Sequence, residues 1–244
     1  MKYRLVLGCL ALVMSSAALA QYSNYGRTDV FGNEQPTDWR WQYGQTSQYG
    51  QGSYGMRSHM YRSMNAGEHD LYNAMRRLWS DHVAYTRMFI VSAANGSPDK
   101  DATTARLLRN QVDIGNAIKP FYGNNAGNRL TQLLTDHILI AASIVTAGKA
   151  NDMARLTSER GRWFANADEI AHFLANANPR NWPYPTVRQM MNDHLNITLD
   201  EAVAELHGDY PTSVSKYDQA QSEILMMADS LSEGIINQFP GRLR

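Results

Sequence analysis

The sequence predicts an all-α domain, a bundle of about six helices arranged as three antiparallel hairpin repeats. Three observations carry the prediction. Apolar residues recur at alternating spacings of three and four. No segment sustains period-two alternation with β-branched enrichment, the pattern of a half-buried strand. The dipeptide Asp-His occurs at Asp81-His82, Asp136-His137 and Asp193-His194, with the histidines 55 and then 57 residues apart. Such a recurrence marks an internal repeat.

The helices follow in order. Leu71, Met75, Leu78, His82, Tyr85 and Phe89 fall on one face of a first helix, which begins near Glu68. Ser97-Pro98-Asp99 supplies an N-cap, a first-turn proline and an acid for a second helix over Thr103 to Ile118, stopped by Pro120 and Gly123. Ala126, Leu130, Leu133, His137, Ile140 and Ile144 define a third. Asn151 or Asp152 opens a fourth, striped by Met153, Leu156, Arg160, Trp163, Ala167, Ile170 and Leu174 and ended at Asn178-Pro179. Val187, Met190, His194, Ile197, Glu201 and Ala204 mark a fifth. The sixth starts near Pro211 or Thr212 and runs through Ile224, Ala228, Leu231 and Ile235 to Phe239-Pro240. Each repeated histidine therefore lies on an apolar stripe, and the aspartate before it is turned about 100° away.

Ahead of this domain, assigned to residues 66–244, the chain has two different segments. Lys2 and Arg4, the apolar run from Leu5 to Val13, and Ala18-Leu19-Ala20 have the order of a secretory signal peptide over residues 1–20. Cleavage is expected after Ala20, which places the mature protein in the periplasm or outside the cell. Cys9 raises a lipoprotein alternative, but too few apolar residues precede Gly8-Cys9 for that signal. Residues 21–65 are rich in Tyr, Gly, Gln, Ser and Asn, with Tyr-Gly at 25, 43, 49 and 54. With few aliphatic groups this stretch reads as a disordered linker, whose tyrosines offer a means of self-association or surface contact.

Composition excludes several classes of function. Lys+Arg and Asp+Glu balance at 23 each, so no net charge draws the chain to nucleic acid. Later apolar runs are broken by charged or amide residues, and no stable membrane span is expected. Without its first 20 residues the chain has no cysteine, which removes disulfides, thiolate metal sites and cysteine nucleophiles. Gly-x-Ser-x-Gly, a phosphate-binding loop and His-Glu-x-x-His are missing, so the sequence leans away from an enzyme.

Chemical interest falls on the core histidines, because a buried imidazole without a partner costs about 1–3 kcal/mol. Three imidazoles at one depth, His82, His137 and His194, would suit zinc, copper or iron. Glu201, two turns beyond His194, is a further candidate ligand. Asp113 and Asp168 follow their histidines by 31 positions and Asp229 by 35, which marks them as orienting partners on the neighbouring helices. Asp218 and Asn166 are additional supporting candidates. Two other readings stand beside this one. The histidines could serve only to fix helix register, as a buried polar group does in a coiled coil. Alternatively, a His–Asp dyad with Glu201 could serve a hydrolase or transferase.

Several phrases also resemble a family of uncharacterised bacterial helical proteins. They are Leu78-Trp79-Ser80-Asp81-His82, Arg106-Leu107-Leu108-Arg109-Asn110, Asn116-Ala117-Ile118-Lys119-Pro120-Phe121-Tyr122-Gly123, Trp163-Phe164-Ala165-Asn166-Ala167-Asp168, Met191-Asn192-Asp193-His194-Leu195, Met227-Ala228-Asp229 and Gln238-Phe239. The resemblance runs from Leu78 to Phe239 and implies a helical fold with no established activity. A glycosyltransferase label carried by some of the family finds no support here, since such enzymes need an α/β or large membrane scaffold. The expected function is an exported, non-catalytic binding protein with a polar His/Asp core site.

Overall fold

A computed structural model describes residues 64–243; the expected signal peptide and all but the last two residues of the expected linker lie outside them. The described residues form α1 (Ala66–Asn95), α2 (Lys100–Lys149), α3 (Met153–Ala177), α4 (Tyr184–Leu206) and α5 (Tyr210–Gln238), with no strand among them. The all-α prediction holds.

Local chemistry explains the helix ends. Asn65 Oδ1 accepts the Glu68 amide at 3.0 Å, and the Glu68 carboxylate accepts the Asn65 amide at 2.9 Å. This capping box satisfies two amide donors that the first turn leaves open. Gly96, at φ 68°, closes α1 in the left-handed region and bonds back to Ser92 O. Asp152 and Asp209 cap α3 and α5 by accepting from Arg155 N and Thr212 N. One expected start moved. Pro98 belongs to the turn before α2 rather than its first turn, and Asp99 caps without a side-chain bond.

Five helices stand where six were expected, and the difference lies at Pro120–Gly123. The expected second and third helices form one element, α2, interrupted only at Gly123, whose φ of 83° and ψ of 169° are not helical. Glycine is the residue that tolerates such a backbone. The chain reverses there. Gly115 and Gly127 lie so close that a Cβ built on either would stand 2.6 Å from the other's carbonyl oxygen. In a straight helix those residues would be about 18 Å apart. The two arms of α2 thus lie against one another, and their missing side chains permit the approach.

Consecutive helices pack side by side, α5 returns against α1, and α4 also touches α1 and α2. The bundle is therefore closed. By length and composition α2 is apolar enough to cross a membrane. Its apolar residues Ile114, Leu130, Leu133, Leu134 and Ile144 are all buried in the bundle's main core cluster. That cluster also holds Met75, Trp79, Trp163, Leu195, Ile224 and Ile235. A second, smaller cluster consists of Phe89, Ile90, Leu107, Ile138, Val145 and Ala202. His82, His137 and His194, each buried, form a polar layer within this apolar core.

Candidate functional site

α1, the second arm of α2, and α4 each bring one repeated histidine to the interior, as the apolar stripes require. The rings of His82 and His194 stand 5.7 Å apart, centre to centre, inclined at 42°. Two tryptophans line the layer. Trp79 meets His82 edge-on at 5.7 Å, and Trp163 lies over His137 at 5.1 Å.

Each imidazole uses Nδ1 to reach a polar side chain on the next helical arm, and the separation in sequence is 29 residues every time. His82 pairs with Gln111 at 3.3 Å, His137 with Asn166 at 2.8 Å, and His194 with Glu223 at 3.1 Å. The network assigns the tautomers. Asn166 donates through Nδ2 to Leu133 O, so its Oδ1 accepts a proton held on His137 Nδ1. Glu223, a carboxylate, likewise accepts from His194 Nδ1–H. Gln111 donates through Nε2 to Leu107 O at 2.8 Å, which makes His82 Nδ1 an acceptor and puts its proton on Nε2. His82 is thus the opposite tautomer from His137.

Electrostatics favours neutral rings at His82 and His137. Burial, then the proximity of His194 and of His137, holds His82 well below its ordinary 6.5. Burial and then His194 lower His137 to about 3, against the stabilising bond from Asn166. Trp79 Nε1, Trp163 Nε1 and Gln111 Oε1 are buried without a hydrogen-bond partner among the described residues.

Two turns beyond His194, Glu201 is also buried, as its place on the stripe implied. Its Oε1 is held by Arg87 at 2.9 Å, and Arg87 also reaches Ser213 Oγ at 2.9 Å. Ser213 donates to Glu205 Oε2 at 2.7 Å. One guanidinium and one hydroxyl therefore serve two interior carboxylates. Burial raises the Glu201 carboxyl above 4.5, against the opposing pull of Arg87.

The aspartates named from the sequence lie elsewhere. Asp113 accepts from Arg109 on its own helix, and Asp168 from Tyr184 and Arg188. Asp229 faces Arg76 at 3.4 Å, and Asp218 is exposed. None is the hydrogen-bond partner of a core imidazole. For Asp113 and Asp168 the expected spacing of 31 overshoots the observed 29 by two residues, and two residues turn a helix through about 200°, to its opposite face; Asp229, at 35, overshoots by six. Asn166 is where a supporting residue was expected. Gln111, Glu223, Arg87, Glu205 and Ser213 were not foreseen. A scan for polar side chains at one fixed offset from the histidines would have found the first two.

Among the described residues no group of three or more His, Cys, Asp or Glu side chains is spaced to hold a metal ion. No family model matches the chain, and neither does any curated protein or solved structure with which it was compared.

Proposed function

We propose that the chain is an exported, non-catalytic binding protein whose site is the layer formed by His82, His137 and His194, with a transition-metal ion such as zinc, copper or iron as the ligand it suits. The ring separation of His82 and His194, 5.7 Å, is the observation that carries this reading. Two imidazoles sharing one tetrahedral ion place their centres about 5 Å apart, given metal–nitrogen bonds of about 2 Å. His137 and His194 spend Nδ1–H on an amide oxygen and a carboxylate, which leaves Nε2 as the basic nitrogen. That is how metal-ligating histidines are oriented and made more basic. The lowered His82 and His137 keep the neutral form that a metal requires. Side-chain rotation has to bring the donors to one point. For His82 it includes a shift of the ring proton from Nε2 to Nδ1 and a turn of the Gln111 amide, so that the buried Oε1 accepts a hydrogen bond from Nδ1–H. Glu201 is held by Arg87 and is a reserve carboxylate in this scheme.

Elemental analysis of the untagged protein is the direct test, with melting followed as Zn²⁺ or Cu²⁺ is added. Bound metal stabilises the folded state by mass action, by about 2.7 kcal/mol at a hundred times Kd. No retained metal and no shift with any transition ion would remove the metal from the proposal.

A second reading, a structural or interaction module, is favoured by the uniform offset of 29. On this reading the two arms of α2 are separate helices, and the bundle is three hairpin repeats: α1 with the first arm, the second arm with α3, and α4 with α5. Each histidine then fixes the register of its hairpin, and residues 21–65 make the external contacts. Deleting residues 21–63, which keeps the Asn65 cap of α1, should abolish association or surface retention and leave the fold intact; retained association counts against it. A hydrolase or transferase with a His–Asp dyad has less support, because the aspartates lie away from the imidazoles. Kinship with the uncharacterised helical family rests on the sequence phrases alone.

A further inference from the structure

A cavity of about 30 Å³ lies among α1, α2, α3 and α4, and its lining follows the repeat. Thr86, Ala141 and Thr198 each stand four residues beyond a core histidine, and Ile90, Val145 and Ala202 each stand eight beyond. Four and eight residues are one and two turns along the same helical face. All six therefore belong to the walls directly above the histidine layer, contributed equally by the three histidine-bearing helices. Leu107, one turn before Gln111, and Trp163, which lies over His137, complete the contact with that layer.

The repetition explains why the space exists. At the position one turn beyond the histidine, all three helices carry a short side chain, threonine or alanine, facing a common centre. One ill-fitting residue would leave a hole beside itself, whereas here all three walls stop short together. The lining is almost wholly apolar, and the threonine hydroxyl of Thr86 is already bonded to His82 O at 2.8 Å. Apolar cavities of this kind stay dry and take apolar guests such as xenon or, at about 150 Å³, benzene. Thr86, Ala141 and Leu199 are only half-buried, which puts the way in from solvent beside them.

We infer that this cavity is a binding site for a small uncharged apolar molecule, or the apolar end of a larger one, which fills it with about one heavy atom, a methyl group by volume. The site is distinct from the imidazole nitrogens and does not depend on whether they take a metal.

The test uses the full chain with labelled Ile, Leu and Val methyls, followed by NMR under xenon and then ethane. Saturable shifts are expected at Ile90, Ile138, Ile144 and Val145, reproduced with ethane. Ala202→Ile fills the cavity from α4 and should lose those shifts with its helical signal retained. If that variant fails to fold, Thr198→Ile is the second filling change, judged in the same way. Shifts that also appear with 1-hexanol identify the end of an alkyl chain as the guest, and shifts confined to xenon and ethane identify a free small molecule. The inference is overturned by no saturable shift in the parent chain, or by undiminished shifts in a folded, filled variant.

Discussion

His137 Nδ1 lies 2.8 Å from Asn166 Oδ1, and Asn166 at the same time donates to Leu133 O, one turn before that histidine. A single amide thus ties two points on the second arm of α2 to α3 and fixes the imidazole tautomer. Between α1 and the first arm of α2 two residues share the task. Asn110 donates to Leu78 O at 3.0 Å, one turn before His82, while Gln111 meets the imidazole.

Asn166→Ala strands His137 Nδ1–H in the interior and removes the second hydrogen bond of Leu133 O. A loss of about 1–3 kcal/mol is expected in urea unfolding. Replacing both partners, as in His137→Leu with Asn166→Leu, should cost less than the two single changes added together. A strictly additive cycle would mean that the bond contributes nothing to coupling the helices.

Acid should weaken the fold at a pH set by the imidazoles. His82 and His137 have folded-state values below 6.5, so as pH falls through 6.5 the unfolded chain takes up protons that the folded chain refuses. Each contributes about 1.4 kcal/mol of lost stability per pH unit. For His137 the loss continues to about pH 3. Glu201 opposes it: its carboxyl, raised above 4.5, protonates first in the folded state and adds stability until pH 4.5, below which the offset is constant. Melting temperature should therefore decline below pH 6.5. The decline should be steeper in Glu201→Gln and shallower in His137→Phe.

Arg87→Leu leaves Glu201 and Glu205 in the interior without their cation. Breaking a buried pair in this way costs about 3–5 kcal/mol. The deficit in chemical denaturation should be largest at pH 7 and should narrow toward pH 5, as the Glu201 carboxyl, raised further without Arg87, takes up its proton. Equal deficits at both pH values would show that Arg87 stabilises through packing alone.

Gly115→Ala places a methyl against Thr131 Oγ1 and Gly127 O, where the two arms of α2 meet. The carbonyl cannot move without displacing a helix, so a clear fall in melting temperature is expected. Gly161→Ala, on the exposed part of α3 with nothing within 4 Å of the added carbon, should raise stability by up to about 1 kcal/mol. Similar responses at both sites would contradict the close crossing of the arms.

Periodicity places Leu71, Met75, His82, Leu133, His137 and His194 in the interior, and all six are buried. It is less reliable where a helix outruns its neighbours. Met153 and Arg160 continue the expected stripe of α3, yet both are exposed, because the first turns of that helix lack a partner layer. At Pro120–Gly123 the breakers are visible in the sequence. Whether the chain loops away or turns back immediately depends on the close approach of Gly115 and Gly127, which are twelve residues apart and carry no recognisable pairing signal.

The sequence by itself determined that this protein is helical, where most helices begin and end, and which three histidines face inward, because these follow from interactions within one helix. Only the tertiary structure decided their partners. Gln111, Asn166 and Glu223 replace the expected aspartates because partnership depends on the rotation of one helix against another. A residue two positions along projects from the far side, so an error of two in register exchanges a core hydrogen bond for a surface ion pair.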